Sequence, residues 1–176
     1  MKRFYVLALL LTALGLAILP AALRAQGAYE IVTGKAFDAA MVKDFYIEGN
    51  AIPTQKRNAV LVTTPAGARL LLALIDTSGY SSQIQQKYEG MIISEGDFTV
   101  CGLKVGVGSY GFGHTKPAAT SGEDMKLSVY DQAGGKLGDC AGKKDAAMAQ
   151  PKPLQVVVGT GQPAKLYLGR YAFELK

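Results

Sequence analysis

NAVLVTTPAGARLLLALIDT, running from Asn58 to Thr77, is the stretch on which the fold turns. Its first seven residues are rich in β-branched side chains, which suit a pleated strand. Pro65-Ala66-Gly67 follows with turn chemistry: proline presets its own φ, and glycine accepts a positive one. Ala68 to Thr77 then runs back. Two apolar runs about a tight turn predict an antiparallel hairpin. Leu70 to Ile75 leaves no alternate position polar, so both faces of that strand need cover and it belongs at the centre of the core.

Working outward, short strand-like runs recur every 8–15 residues. Phe45-Tyr46-Ile47 ends at a Gly49-Asn50 turn. Met91–Ser94 and Asp97–Cys101 flank Glu95-Gly96 and read as a hairpin. Val105–Phe112 alternates with glycines. Met125–Tyr130 puts Met125, Leu127 and Val129 on one face, and Asp131–Gly135 turns it toward a return strand at Lys136-Leu137. Residues 141–153 read as a loop. Leu154–Val158 and one long strand from Ala164 to Lys176 form a last hairpin across Gly159–Pro163. That last strand sets Tyr167, Tyr171, Phe173 and Leu175 on a face expected to be buried. Two short helical turns are expected, one in Lys35–Asp44 and one in Ser81–Tyr88 with Ser81 as its cap. The sum is eight or nine short strands without βαβ alternation. It predicts an all-β antiparallel sandwich, or alternatively a small antiparallel barrel.

Residues 1–25 carry the pattern of a signal peptide: Lys2-Arg3, an apolar run from Tyr5 to Leu19, then Leu23-Arg24-Ala25 before Gln26. The rival reading is an uncleaved membrane anchor, the one route by which a membrane enters. A single domain, 26–176, follows, long enough to bury a core of its own. The whole chain carries a net charge of +5, but Lys2, Arg3 and Arg24 lie in the leader. The remainder holds 16 cations and 14 acids, net +2. It has no basic stripe, and nucleic-acid binding is not expected. An exported chain with two cysteines predicts a Cys101–Cys140 disulfide and a periplasmic or secreted location. One histidine and two widely spaced cysteines offer no metal-ligand pattern, so no cofactor is expected.

The motifs that invite a catalytic reading are incomplete. GVGSYG at 106–111 matches GxGxxG, but glycine, His114 and proline follow where a phosphate-binding helix must open. It reads as a strand whose glycines serve bulges or close contacts. LIDTSG at 74–79 resembles an aspartic-protease turn with one residue inserted. Asp131 is a poor second carboxylate for it, and a capped strand end is the simpler reading. His114 is the lone imidazole in the chain. Tyrosine combines apolar area with a polar tip. Tyr80, Tyr88, Tyr110 and His114 are therefore the candidate contacts for a ligand or partner: a protein, a glycan or a small apolar molecule. The functional expectation is a non-catalytic exported binding or accessory module. A barrel holding an apolar ligand is the alternative, and a hydrolase with unassigned carboxylates comes third.

Overall fold

The computed structural model describes residues 28–115, 124–159 and 162–176. The expected signal segment lies outside the described residues. The elements run β1 (Glu30–Val32), α1 (Gly34–Ala40), β2 (Asp44–Ile47), β3 (Asn50–Thr63), β4 (Arg69–Ile75), α2 (Ser82–Lys87) and β5 (Gly90–Ser94). They continue with β6 (Phe98–Val100), β7 (Leu103–Val105), β8 (Gly108–Thr115), β9 (Met125–Tyr130) and β10 (Lys136–Lys144). The chain closes with β11 (Lys152–Gly159), β12 (Gln162–Gly169) and β13 (Tyr171–Leu175). The all-β antiparallel expectation holds, in its barrel form. One hydrogen-bonded wall runs β3-β4-β5-β8-β9-β10-β13-β12-β11, and β11 packs back against β3 without pairing to it.

The deciding hairpin forms as read, with Val62 opposite Leu70 and Val60 opposite Leu72. Its turn is closed by Thr64, whose amide donates to the Ala68 carbonyl at 2.8 Å and whose hydroxyl accepts from the Ala68 amide at 3.2 Å. Alternation along β4 feeds two cores. Leu70 and Leu72 point into the barrel with Ile92, Phe112, Leu127, Leu166 and Phe173. Leu71, Ala73 and Ile75 point outward, into a second cluster with Phe45, Ile47, Ile52, Ile84 and Tyr88. The β2–β3 hairpin and α2 supply that outer layer, so β4 is buried on both sides. Ser81 caps α2 by accepting from the Ile84 amide.

Four details depart from expectation. The Phe45–Ile47 turn sits one residue earlier, at Glu48-Gly49, with Ile47 opposite Asn50. Both turn residues have positive φ, as a two-residue type I′ hairpin requires. Second, Met91–Ser94 does not pair with Asp97–Cys101. β5 lies between β4 and β8, while β6 pairs with β7 and β13. The cause is a tighter turn downstream: Cys101-Gly102, again with both φ positive, folds β7 onto β6. Third, residues 141–153 are not all loop. β10 continues to Lys144 because Lys143 and Lys144 pair with Ala172 and Tyr171.

Fourth, the expected final strand is two strands. Gly169 takes φ +62, and Gly169-Arg170 turns β12 back as β13, with Leu168 opposite Tyr171 and Leu166 opposite Phe173. The turn changes which alternate residues face in. Leu166 and Leu168 therefore join Phe173 and Leu175 in the barrel interior, while Glu174 stays exposed.

β10 and β13 pair only at their tops and diverge below. The β6–β7 hairpin fills that gap. Val100 pairs with Leu175 on the β13 side, and Phe98, Val100 and Val105 complete the core. On the β10 side a disulfide joins Cys101 to Cys140, with Cα atoms 5.7 Å apart. This is the pairing expected from the sequence, within the ordinary range for a bridge. It ties the wedge to the wall where no strand ladder does.

Candidate functional site

The barrel interior is filled by side chains, so the opening lies at an end of the barrel and not within it. Strand direction decides which residues gather there. β4 and β8 run toward this mouth and end at Ile75 and Thr115. β5, β9 and β13 run away from it, beginning at Gly90, Met125 and Tyr171. The result is a cleft of about 870 Å³. Its floor is apolar and continuous with the core: Leu74, Met125, Leu168 and Tyr171. Its rim is polar. Asp76, Glu89 and His114 come from the β4, β5 and β8 side, and Lys144 and Arg170 from the β10 end and the β12–β13 turn. A concave apolar floor with a few convergent polar groups is the usual form of a small-ligand site.

His114 is mostly buried, and Glu89 Oε2 is the group that faces its Nδ1. Among the described residues Nδ1 makes no hydrogen bond of good geometry. Asp76 ends β4 in an Asx turn, accepting from the Ser78 hydroxyl at 2.7 Å and the Ser78 amide at 3.1 Å. These two donors hold its carboxyl below the ordinary aspartate range. The protease-like LIDTSG is thus a capped strand end. Asp131 ends a strand of the opposite direction and spends one oxygen on the Gly135 amide at 2.8 Å. Arg170 donates to the Met148 carbonyl at 2.6 Å, which holds its side chain at the cleft edge.

Of the four candidate contacts, two border the cleft. His114 stands on its rim and Tyr88 reaches its edge. The Tyr88 ring points away, fully buried in the outer core, and its hydroxyl donates to Glu48 Oε1 at 2.7 Å. Lys87 Nζ bonds the same oxygen and donates to the Gly134 carbonyl at 2.8 Å. It also lies 4.9 Å from the centre of the Tyr130 ring, a cation–π distance. Hydrogen bonds from Lys87 and then Tyr88 pull the Glu48 carboxyl down, while burial and the bond to Glu48 push the Tyr88 hydroxyl up to about 12. This cluster ties the β2–β3 turn, α2 and the β9–β10 turn together. It is the outer layer's lock.

Tyr80 and Tyr110 lie elsewhere. The Tyr80 hydroxyl donates to the Ala51 carbonyl, pinning the β4–α2 loop to β3. Tyr110 covers Gly108 and donates to the Val107 carbonyl at 3.3 Å. The glycine-rich stretch serves close contact, as its sequence implied. A Cβ on Gly111 would stand 2.5 Å from Ile47 and 2.7 Å from the Tyr88 ring, and one on Gly113 would stand 2.2 Å from the Lys87 carbonyl. Bare glycines let the end of α2 lie directly on β8, and so place Glu89 beside His114.

Sequence reasoning missed Leu168, Arg170 and Tyr171. In one continuous strand Leu168 and Tyr171 fall on opposite faces, and only the Gly169-Arg170 turn sets them side by side. The signal was present: Gly169-Arg170 is a glycine-first dipeptide of the type II′ kind between two apolar runs. Lys144 falls in the stretch 141–153 that reads as a loop, and it reaches the rim because β10 continues far enough for it to pair with Tyr171. No protein-family model matches this chain, and neither a curated protein nor a solved structure matches it. The geometry of the cleft therefore has to carry the functional reading.

Proposed function

We propose that this chain is an exported, non-catalytic binding module that seats a small amphipathic ligand in the mouth of its barrel. The observation that carries the reading is the cleft itself. Its apolar floor belongs to the barrel core, and its charged rim is supplied by strand ends on opposite sides of the wall. A ligand there would bury its apolar body on Leu74, Met125, Leu168 and Tyr171 and keep its polar ends at the rim. Export accords with the disulfide and with the leader pattern at 1–25. The hydroxyl–carboxylate pair on the rim, Ser78 on Asp76, closes an Asx turn at the end of β4 and is given that structural part.

Backbone amide shifts, followed during titration with hexanoate, hexylamine and Leu-Leu-Leu, test the site. At least one of these probes is expected to shift His114, Leu168 and Tyr171 together while residues of β6 and β7 stay still. Absence of any such shift at millimolar concentrations of all three would overturn the reading. Intact mass of protein recovered from its native host tests export. A mature chain beginning at Gln26 in a soluble exported fraction supports it, retention of Met1 with the membrane fraction shows that the segment is an uncleaved anchor, and recovery of the uncleaved chain from the cytosol refutes export.

A further inference from the structure

The rim charges are sorted by wall. Asp76 follows β4 and Glu89 precedes β5, whereas Lys144 ends β10 and Arg170 turns β12 into β13. Passing round the barrel from β4 and β5 to β10 and β13 crosses β8 and β9 one way and β3, β11 and β12 the other. The acids therefore face the bases across the mouth. Nine strands at about 4.8 Å each enclose a mouth on the order of 15–18 Å wide between backbones. That span is too wide for direct pairing, and among the described residues neither acid forms an ion pair with Lys144 or Arg170; Glu89 faces His114 on its own wall, which leaves Asp76 as the acid without a basic partner there.

From this we infer that the cleft binds a zwitterion, a short apolar peptide. Its amino terminus lies toward Asp76 and Glu89, its carboxylate toward Arg170 and Lys144, and its side chains rest on the apolar floor. The inference deepens the binding-module reading and rests on it. The alternatives fit the rim less well. An apolar acid would satisfy the basic wall and meet two carboxylates on the other. An apolar amine would do the reverse. A neutral apolar ligand would leave both walls unused. Each lone charge favours the opposite charge and penalises its own, which makes the rim selective for a molecule carrying both. The volume of about 870 Å³ suits a ligand of two or three residues. Asp76 is restrained by its Ser78 turn and Arg170 by the Met148 carbonyl, so each wall presents at least one charge from a fixed position.

The test is a calorimetric titration of the full mature chain with Leu-Leu-Leu, its N-acetyl form, its amide and the doubly blocked peptide. The free peptide is expected to bind tightest, and blocking either terminus is expected to weaken it at least tenfold. Arg170→Gln should reduce the preference for the free carboxylate over the amide, and the pair Arg170→Gln, Lys144→Gln should abolish it, while the preference for the free amine is kept. Asp76→Asn should do the converse. All of these sites are exposed, so the variants are expected to fold, and circular dichroism checks that. Equal binding of free and doubly blocked peptide would overturn the inference and leave the binding module standing. So would binding of hexanoate or hexylamine with no binding of Leu-Leu-Leu. Failure of every probe would remove the module reading as well.

Discussion

The barrel wall is built in two ways. From β3 to β10 each strand pairs with the next, interrupted only by register shifts at Thr54–Ala59 and Lys136–Gly138, and β3, β4 and β5 carry a second apolar layer outside. From β10 to β11 the ladder is patched. β10 and β13 part company, a hairpin of two three-residue strands fills the space, a disulfide fastens it, and much of the outer face is exposed, with Tyr167 covered where its hydroxyl donates to Asp145. The sequences match. RLLLALI in β4 is apolar at every interior position, whereas YAFEL in β13 places exposed Glu174 between buried Phe173 and Leu175. What lies outside the wall decides the pattern along it. A strand covered on both sides gives up alternation, and a strand facing water keeps it.

The strongest way to break this comparison is at β13. Phe173 is fully buried, and its ring lies against Gly142, where a Cβ would stand only 2.3 Å away. Phe173→Ala is expected to cost about 3–5 kcal/mol, the range for large core aromatics. Its neighbour Glu174→Ala should cost less than about 0.5 kcal/mol, as on ordinary surface. Urea melts of the two variants measure the contrast. Comparable losses would mean that the outer face of β13 is covered after all.

The disulfide comes next. It closes a sequence separation of 39 residues, and loop-closure entropy of that size is worth about 3–4 kcal/mol. The paired Cys101→Ala, Cys140→Ala variant should lose about that much. Amide exchange should quicken first in β6 and β7, because the bridge replaces the ladder missing between that hairpin and β10. Uniform loss of protection over the whole barrel would show that the wedge is no separate unit.

Much of the covered half was legible. The Asn58–Thr77 hairpin, the cap of α2 and the β9–β10 turn follow from local rules, because each is decided by residues a few positions apart; the close-contact glycines stand out by residue type, although the groups they admit, Ile47, Lys87 and Tyr88, are distant in sequence. The patched half was harder. Whether Leu103–Val105 folds onto β6 depends on Cys101 accepting a positive φ, a strain that the neighbouring wall and its disulfide offset. Leu166 and Leu168 stood on the charged face of the expected long strand, an inconsistency that the Gly169 turn resolves. His114 was found because the chain has a single imidazole. Arg170 and Lys144 reach the rim through turn geometry and a late strand pairing, which one sequence shows only once the register is known.

On the covered half, Leu71→Ala tests whether the outer layer is a core in its own right. Leu71 faces outward and is 4% exposed, next to Leu72, which faces inward. Either truncation is expected to cost about 2–4 kcal/mol, since both positions are packed. A near-zero effect for Leu71 beside a large one for Leu72 would reduce the outer layer to loose cover, and the two halves of the wall would then differ less than their patterns imply.

The smallest expected effect belongs to the lock on that outer layer, and its sign can be worked out. Hydrogen bonds from Lys87 and Tyr88 lower the Glu48 carboxyl in the folded chain. Its contribution is therefore complete above the ordinary glutamate range and lost as pH falls through the folded value. Tyr88 is the reverse case. Burial and the Glu48 bond raise its hydroxyl to about 12, so its contribution is complete below the ordinary tyrosine range near 10 and lost as pH climbs through about 12. Glu48 also sits at φ +48 in a type I′ turn, a conformation that an unbranched side chain tolerates when its bonds hold it. Glu48→Gln keeps the shape and removes the charge. It should lower stability at neutral pH by no more than about 1 kcal/mol, the scale of a partly exposed ion pair. The distinguishing readout is the acid limb, where the difference from the parent chain should shrink as pH falls below the ordinary glutamate range and through the lowered folded value. A difference that persists unchanged through that fall would mean that Glu48 stabilises the turn by its backbone alone. The lock would then be the amide of Glu48 on the Gln132 carbonyl, 2.8 Å away, rather than the carboxylate beneath Lys87.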